Sequence, residues 1–211
     1  MSARDDILNR IASALRDAPV APAVPREYRR VSAMTDAQRL EQLVDRLVDY
    51  KANVFVVPGA QAPAKLAELL ARSASIVIPH GLPEEWLSML QNDAGSPAVR
   101  RDSPESRLTV DELDAVDAVV TAAAVAVSET GTIMLDGSAA QGRRVISLVP
   151  DRHICVLRSE DIVQVLPEAI ARLDATCPQT WISGPSATSD IELERVEGVH
   201  GPRTLDVIIL T

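Results

Sequence analysis

The residues best suited to chemistry lie near the C-terminus of this 211-residue chain. A strand-like segment, 179–183, leads into the pair Gly184-Pro185, and short hydroxyl side chains surround that pair, at Ser183, Ser186, Thr188 and Ser189. Short hydroxyls, a flexible glycine and free backbone amides are the groups with which proteins bind the oxygen atoms of small anions. The run therefore predicts a binding site for a small carboxylate or phosphate.

The same hydroxyl groups also have a structural interpretation. Those at 186–189 could cap a short helix that begins near Asp190, because helix N-termini leave backbone amides without partners. Gly184-Pro185 favours the anion site, since the pair constrains the backbone and adds no packing. Asp190 would repel an anion, so we expect it to position the site, by pairing with an arginine or by holding amide groups in place.

A second candidate segment is Ser128-Glu129-Thr130-Gly131-Thr132, between an alanine-rich stretch and a short strand. A glutamate beside a glycine turn, at the end of an apolar element, is expected in a cleft, where it can act as a base or a nucleophile. The alternative is that Glu129 only accepts hydrogen bonds from amides of the turn. His200, in a glycine-rich turn, is the second candidate for proton transfer, whereas His80 and His153 are expected to be structural.

The charge of the chain limits the classes of partner. Its 30 acidic and 21 basic residues give a formal net charge of −9, which argues against nucleic acid or an anionic membrane as a partner. No apolar run approaches the roughly 18 to 20 residues needed to span a bilayer, so we expect a cytoplasmic protein without a membrane span. Arg143 and Arg144 could counter the charge of a bound anion, or could form a solvated rim.

The sequence lacks the patterns of common cofactor sites. Cys155 and Cys177 are isolated and belong to no ligand spacing for zinc or an iron–sulfur cluster. The three histidines lack the spacing of a metal site. The segment 58–61, after the first predicted strand, lacks the G-x-G-x-x-G fingerprint of dinucleotide-binding domains. We therefore expect neither a metal nor a cofactor in this chain.

The chain begins with a helical extension. A capping-box pattern at 2–5 precedes an apolar stripe at helical spacing, which consists of Ile7, Leu8, Ile11 and Leu15. Three prolines then predict an extended arm, and a second capping box, at 35–38, predicts the start of another helix. The chain is thus divided into an N-terminal helix with a proline-rich arm, 1–30, and a single α/β domain, 31–211.

From residue 52 onward, predicted strands and helices alternate, which is typical of an α/β fold with a mostly parallel sheet. Strands are predicted over 52–57, 75–78, 116–120, 133–135, 145–149, 154–157, 179–183 and 205–210. Helices are predicted to begin at Pro63 and to span 83–90 and 160–173. The alanine-rich flank 121–127 fits either a strand or a helix, because periodicity does not separate the two.

Three motifs in order along the chain resemble the LUD (lactate utilization) family: 128–132, Pro150 with His153-Ile154, and the stretch 183–202. The resemblance covers most of the chain. It implies an open three-layer α/β/α sheet, like that of the sugar-phosphate isomerases and CoA transferases (NagB/RpiA/CoA transferase-like). It also implies a role in oxidising L-lactate to pyruvate together with partner proteins that carry the iron–sulfur clusters, so that this chain itself holds none.

Within that wider superfamily, Ser-Glu-Thr-Gly at 128–131 resembles the Ser-Glu-Asn-Gly stretch around the catalytic glutamate of class I CoA transferases. The resemblance places Glu129 in the position of the nucleophile, although Thr130 replaces the asparagine. In open α/β sheets, ligands bind beyond the carboxyl ends of the strands, and both candidate segments follow strand-like runs. We therefore expect the two segments to converge on one cavity.

Three functions stay open at this point: a subunit of an L-lactate oxidising complex, a CoA-transferase-like enzyme that handles acyl or phosphate groups, and a non-catalytic module that binds or senses a small anion. The predicted catalytic residues are Glu129 and His200. The predicted substrate-binding residues are Thr130, Gly131, Thr132, Ser183, Gly184, Ser186, Thr188, Ser189 and Asp190. The sequence leaves open whether the chain forms a homo-oligomer.

Overall fold

The computed structural model of the chain describes residues 2–17, 22–90, 96–188, 196–197 and 201–211. Within these ranges the α-helices are α1 (Ala3–Ala14), α2 (Asp36–Asp49), α3 (Ala62–Leu70), α4 (Val110–Asp114) and α5 (Leu166–Ile170). The strands are β1 (Asn53–Val57), β2 (Ser75–Pro79), β3 (Ala98–Asp102), β4 (Ala118–Ala122), β5 (Val125–Val127), β6 (Thr132–Leu135), β7 (Arg152–Arg158), β8 (Ile162–Val163), β9 (Thr180–Ile182), β10 (Ala187–Thr188), β11 (Val196–Glu197) and β12 (Thr204–Leu210). No helix in the described ranges is both long and apolar enough to cross a membrane.

A six-stranded parallel sheet lies at the centre of the structure. Its strand order is β1-β12-β7-β4-β2-β3, and every neighbouring pair is parallel. The central strands β7 and β12 are buried along almost their whole length, as their apolar sequences require of a parallel sheet that is covered on both faces. The α/β fold with a mostly parallel sheet is confirmed.

The two faces of the parallel sheet are covered differently. One face packs against α3, whose Leu66 and Leu70 lie in a buried cluster with the sheet. The other face packs against α2, through Leu43 and Leu47, and against strands of a second, smaller sheet. The parallel sheet is therefore the middle of three layers, and one of the outer layers combines a helix with this small sheet.

The small sheet positions both candidate segments. Its order is β8-β5-β6-β9, in which β6 is antiparallel to both β5 and β9 and β5 is parallel to β8. The segment 128–132 connects β5 to β6, and the segment 183–186 follows β9. Both candidate segments therefore belong to the small sheet and not to the strand ends of the central parallel sheet.

Both predicted capping boxes are present at the start of their helices. Ser2 and Asp5 cap α1, and Thr35 and Gln38 cap α2. In α1 the predicted apolar stripe is exposed to solvent, with about half of each side chain accessible in Ile7, Leu8, Ile11 and Leu15. The capping box supports this helix locally, and none of its residues is buried.

The C-terminal end of the arm between α1 and α2 is fixed to the domain. The backbone amide of Ser32 donates to Glu168 Oε1 at 2.8 Å, and the Ser32 hydroxyl donates to Gln164 Oε1 at 2.9 Å. The Arg39 guanidinium donates to the carbonyls of Met34 and Ile162. These contacts hold the arm against α5 and β8, beside the segment 128–132.

Several predicted elements are wrong. The strand predicted over 145–149 is a 3₁₀ turn, Arg144–Ser147, whose Ile146 packs onto the parallel sheet. The single helix predicted over 160–173 is divided into a 3₁₀ turn, the strand β8 and the short helix α5, because β8 pairs with β5. The helix predicted over 83–90 is reduced to a 3₁₀ turn, Glu84–Leu87. The stretch 121–127 contains strands, and β3 and α4 were not predicted.

Candidate functional site

The two candidate segments lie side by side because of the pairing of β6 with β9. Ile133 is opposite Ile182 in this antiparallel pair, so the residues that flank them, Thr132 and Ser183, meet at the same end of the sheet. A chain of hydroxyl groups joins the segments: Thr130 Oγ1 lies 2.8 Å from Thr132 Oγ1, which lies 2.9 Å from Ser183 Oγ. The structure therefore brings together predicted binding residues that are about fifty positions apart.

Glycine is required in both segments because each backbone passes close to the end of α2. Gly131 and Gly184 have φ angles of 63° and 89°, a left-handed region that side chains disfavour. A Cβ atom on Gly131 would lie 2.7 Å from the Cβ of Arg46, and one on Gly184 would lie 2.7 Å from the Cβ of Tyr50. The Tyr50 ring also lies 3.3 Å from the position of a Cβ on Gly131, so Tyr50 supports both segments.

A further hydrogen bond ties the first segment to α2. The buried Ser128 hydroxyl donates to Gln42 Oε1 at 2.7 Å, and the amides of Ser128 and Glu129 donate to the carbonyls of Val163 and Gln164. These bonds fix the backbone of the segment at Ser128 and Glu129. Its conformation is therefore set by the surrounding elements before any ligand binds.

Glu129 is paired with the N-terminal arm. Its side chain is 44% exposed and forms an ion pair with Arg29 of the N-terminal arm. It is not among the residues that line the cavity beside 183–186. Glu129 lines none of the four cavities described among the placed residues, and its carboxylate accepts a hydrogen bond from an arginine a hundred positions away in the chain.

A cavity of about 310 Å³ lies beside the second segment, and we call it the loop cavity. Its walls include 183–186, Gly201-Pro202 and the side chains of Arg144 and His153. The amide of Ser186 donates to the carbonyl of Pro202 at 2.8 Å, which closes one side. Within the described part of the chain Arg144 makes no ion pair, so its charge is available to a small anion.

The expectation that ligands bind beyond the carboxyl ends of the parallel strands is not met by the loop cavity. His153 and Leu205, which line it, are the second residues of β7 and β12, so the cavity lies at the amino ends of these two strands. The reason is that the segment 183–186 continues from β9 of the small sheet. The position of the cavity is therefore set by the small sheet.

His153 forms part of the wall as a neutral side chain. It is buried, its Nε2 lies 2.8 Å from Thr121 Oγ1, and burial lowers the pKa of the imidazole to about 4. At neutral pH the ring is therefore uncharged and can exchange hydrogen bonds but supplies no positive charge. The guanidinium of Arg144 is the group in the wall that can neutralise an anion.

The family of the chain follows from comparison with known proteins. The family model described as the LUD domain matches residues 40–210, which include both candidate segments and the whole parallel sheet. The chain belongs to the LUD domain family. The family resemblance inferred from the three motifs is thereby confirmed, whereas the wider superfamily stays a prediction.

Several relatives of this LUD domain carry informative names. Lactate utilization protein C of Deinococcus radiodurans is 46% identical over 181 residues, which are 84% of this chain and 82% of that protein. Lactate utilization protein C of Shouchella clausii is 31% identical over 108 residues, about half of each chain (48% and 47%). The crystal structure of a DUF162 family protein from Deinococcus radiodurans superposes with a TM-score of 0.71 at 40% identity, and covers 84% of this chain and 99% of that one.

The remaining predicted residues of the LUD domain are placed as follows. Thr188 lies in β10, which pairs with β11. Ser189, Asp190 and His200 lie outside the described residues. Among the described residues, no group of three His, Cys, Asp or Glu side chains is placed to hold a metal ion.

The structure adds residues to the site that sequence reasoning did not select. Tyr50 supports both glycines, and Thr180 and Ser147 line the loop cavity. Tyr50 carries no sequence signal beyond its place at the end of a predicted helix. Arg144 had an ambiguous signal, because two adjacent arginines fit a solvated rim as well as a ligand contact.

Proposed function

We propose that this LUD domain serves lactate utilization by binding L-lactate, or its oxidation product pyruvate, in the loop cavity. The observation that carries the proposal is the 46% identity to a lactate utilization protein C over most of both chains. The cavity supports it, because it combines one guanidinium with short hydroxyl groups beside a fixed glycine turn. Arginine pairs with a carboxylate through two parallel hydrogen bonds, which suits a small 2-hydroxy acid.

In this proposal each group in the wall has a separate task. Arg144 holds the carboxylate, the hydroxyl of Ser183 bonds the 2-hydroxyl of L-lactate or the 2-oxo group of pyruvate, and neutral His153 fixes the wall through Thr121. Because His153 carries no charge near neutral pH, it does not compete with Arg144 for the carboxylate. The site thus recognises a single negative charge next to one polar group.

The electrons of lactate oxidation pass to partner proteins in this proposal. Conversion of L-lactate to pyruvate breaks one C–H and one O–H bond and releases two electrons and two protons, which a redox group must accept. The cysteines of this chain, one buried and one exposed, are isolated from each other in the sequence, so we assign the iron–sulfur clusters to partner subunits. This LUD domain then contributes the substrate site, an assembly surface, or both.

The exposed apolar stripe of α1 is the proposed assembly surface. Its four large side chains, Ile7, Leu8, Ile11 and Leu15, are each at least half exposed. An amphipathic helix without a partner on its apolar face is a common docking element. The proposal predicts that copurification of the iron–sulfur proteins is lost in Leu8→Asp/Ile11→Asp, while the isolated domain stays folded; loss of a homo-oligomer instead would assign this surface to self-association.

Calorimetric titration of the purified protein tests the substrate site. L-lactate and pyruvate should bind the wild type, and Arg144→Gln should weaken binding about tenfold or more, because it removes a charged hydrogen-bonding partner. Arg101→Gln is the matched control, since Arg101 pairs with Glu84 at the surface. Absence of heat with both acids, or equal binding by Arg144→Gln, would rule out the loop cavity as the substrate site.

Growth of a strain that lacks the gene tests the biological role. Deletion should stop growth on L-lactate where no other lactate dehydrogenase is present, and the Arg144→Gln gene should restore it poorly. Normal growth of the deletion strain on L-lactate would remove the proposal. If the Arg144→Gln gene restored growth as well as the wild type, the role in lactate utilization would stand, but Arg144 would not be the essential contact.

The two other functions predicted from the sequence give different results in the same experiments. A CoA-transferase-like enzyme with Glu129 as nucleophile would turn over without partner proteins, would be labelled by an acyl-CoA, and would lose both properties in Glu129→Gln. A non-catalytic anion-binding module would bind ligand and show no turnover even with the partners present. The structure does not favour the transferase, since Glu129 pairs with Arg29 outside the loop cavity.

A further inference from the structure

A second cavity, of about 490 Å³, lies next to the loop cavity. Its walls come largely from the connections after β2, β3 and β6, and we call it the Arg107 cavity after its most distinctive side chain. It shares Arg144, Ser147 and Thr180 with the loop cavity. The two cavities are therefore neighbours with a common wall, and Arg144 faces both.

The connection that carries Arg107 is fixed by a buried ion pair. Asp102 is 1% exposed and receives two hydrogen bonds from Arg143, Nε to Oδ2 at 2.8 Å and Nη2 to Oδ1 at 2.5 Å. The amide of Leu108 also donates to Asp102 Oδ1, at 2.9 Å. This carboxylate therefore fixes the two ends of the connection, and a fixed backbone lets Arg107 bind a ligand with less loss of entropy.

The negative charge of Asp102 is balanced by Arg143. Burial raises the pKa of the Asp102 carboxyl, but the hydrogen bonds from Arg143 and Leu108 and the charges of Arg143 and Arg107 outweigh burial, so that its pKa lies below the usual value. Asp102 is therefore ionised near neutral pH and neutralises Arg143. Arg107 adds a second positive charge near Asp102, and the single charge of Asp102 cannot neutralise both arginines.

Two guanidinium groups in the wall have no carboxylate partner in the described part of the chain. Neither Arg107 nor Arg144 is within ion-pair distance of a described acid. Besides Asp102, which neutralises Arg143, the described wall contains one acid, Asp136, which accepts a hydrogen bond from the amide of Ser138 at 3.0 Å. The cavity thus presents two positive charges against one negative charge, beside apolar wall residues Pro104, Leu135 and Pro178.

We propose that the Arg107 cavity is a second ligand site, which binds a phosphate monoester with a small apolar body. Two guanidiniums match the two charges and three oxygens of a phosphate monoester better than they match a single carboxylate. The volume is in the range of sites for small organic ligands, and the proline and leucine wall fits the apolar body. This inference does not rest on the binding of lactate.

Sharing of Arg144 has a consequence for the loop cavity. A phosphate ester that occupies Arg144 withdraws the guanidinium from a carboxylate in the loop cavity, so the two ligands weaken each other's binding by the same factor. The Arg107 side chain lines the second cavity and not the first. Substitution of Arg107 therefore separates the two sites, while substitution of Arg144 affects both.

Calorimetry with phenyl phosphate tests the proposal on the full chain. The wild type should bind phenyl phosphate, and Arg107→Gln should weaken binding about tenfold or more, because a charged hydrogen-bonding group is lost. Arg107→Lys, which keeps the charge but not the fork, should recover part of the affinity. Arg101→Gln should bind like the wild type, since Arg101 pairs with Glu84 outside the cavity.

The same titrations contain the results that would overturn the proposal. No binding of phenyl phosphate, or equal binding by folded Arg107→Gln, would remove the site. Benzoate that binds as tightly as phenyl phosphate would show that a phosphate is not selected, and inorganic phosphate that binds as tightly would show that the apolar body is not recognised. Thermal unfolding of each variant checks the fold, and unchanged L-lactate binding by Arg107→Gln distinguishes this test from the test of the loop cavity.

Discussion

The buried imidazole of His153 should make the stability of the domain decrease between pH 7 and pH 5. The ring lies in the wall of the loop cavity, bonded to Thr121 Oγ1 at 2.8 Å, and burial lowers its pKa from 6.5 to about 4. In the unfolded chain the same ring is solvated and has its ordinary pKa. Between these two pKa values, the unfolded chain binds one more proton than the folded chain, so acid favours unfolding.

The size of the effect follows from the two pKa values. Each pH unit between them changes the free energy of unfolding by about 1.4 kcal/mol per group. Because the unfolded ring is only partly protonated near pH 6.5, the loss between pH 7 and pH 5 comes to about 2 kcal/mol. The contribution of the neutral His153 ring to stability is complete above the pKa of the unfolded chain, 6.5, and is lost progressively as the pH falls toward 4.

Urea unfolding, followed by tryptophan fluorescence at pH 7 and pH 5, measures this loss. His153→Gln removes the ionisable ring and keeps a hydrogen-bonding side chain, so the variant should lose about 2 kcal/mol less than the wild type over the same interval. Taking the difference between the two proteins cancels the carboxylates, which titrate in both. His80→Gln controls for the loss of one histidine at an exposed position. Equal pH dependence in wild type and His153→Gln would refute the argument that the ring is buried and neutral.

Three other predictions test separate parts of the structure. Gly184→Ala should destabilise the domain by about 2–4 kcal/mol in urea unfolding, because the backbone there is left-handed and the new Cβ would lie 2.7 Å from the Cβ of Tyr50. Gly59→Ala is the control: no atom lies within 4 Å of the added carbon, so it should change stability by less than about 1 kcal/mol. Asp102→Asn should destabilise the domain by roughly 2 kcal/mol, because it leaves the half-buried guanidinium of Arg143 without a counter-charge. Iodoacetamide should modify Cys177 and not Cys155 in the native protein, since Cys155 is buried and burial raises its pKa to about 12; mass spectrometry identifies the modified thiol.

Each of these predictions has a result that contradicts it. Similar stability of the two alanine variants would mean that the backbone at Gly184 is not held against α2. An Asp102→Asn protein as stable as the wild type would mean that the pair with Arg143 contributes nothing net. Modification of Cys155 at the rate of Cys177, without denaturant, would mean that β7 is open to solvent.

The sequence predicted the elements whose local signals agree with their tertiary contacts. The capping box at 35–38 marks the start of α2, and the continuous apolar run of β12 is what a strand buried on both faces of a parallel sheet requires. The predicted helix over 160–173 failed because a tertiary contact overrides the local pattern: Ile162 and Val163 pair with β5. The strand predicted over 145–149 failed because its β-branched residues are buried by packing onto a sheet that they do not join.

The strand β3 shows a different limit. Its sequence, Ala-Val-Arg-Arg-Asp over 98–102, has too few apolar residues for a strand signal, because it lies at the edge of the sheet and its arginines are partly exposed. Edge strands carry charged side chains that prevent pairing with other molecules. The strand β3 is defined by its hydrogen bonds to β2, and this pairing has no local signal in the sequence of 98–102.

Parts of the candidate site could be predicted from the sequence and other parts could not. Hydroxyl-rich and glycine-containing segments were visible in the sequence, and the structure joins them through Thr132 and Ser183. The direction of Glu129 was not visible, because it is set by Arg29 on a distant arm. The contribution of Arg144 was equally hidden, since only the fold shows that its neighbour Arg143 pairs with the buried Asp102 while Arg144 lines the loop cavity.

Tyr50 supports the segments 128–132 and 183–186 in common. Gly131 and Gly184 both press against this one residue, and α2, which ends there, is tied at its other end to the arm through Arg39 and Met34. A shift of α2 along its axis therefore displaces both segments together and in the same direction. A displacement of the N-terminal arm would therefore reach Thr132 and Ser183 through α2, a helix of fourteen residues.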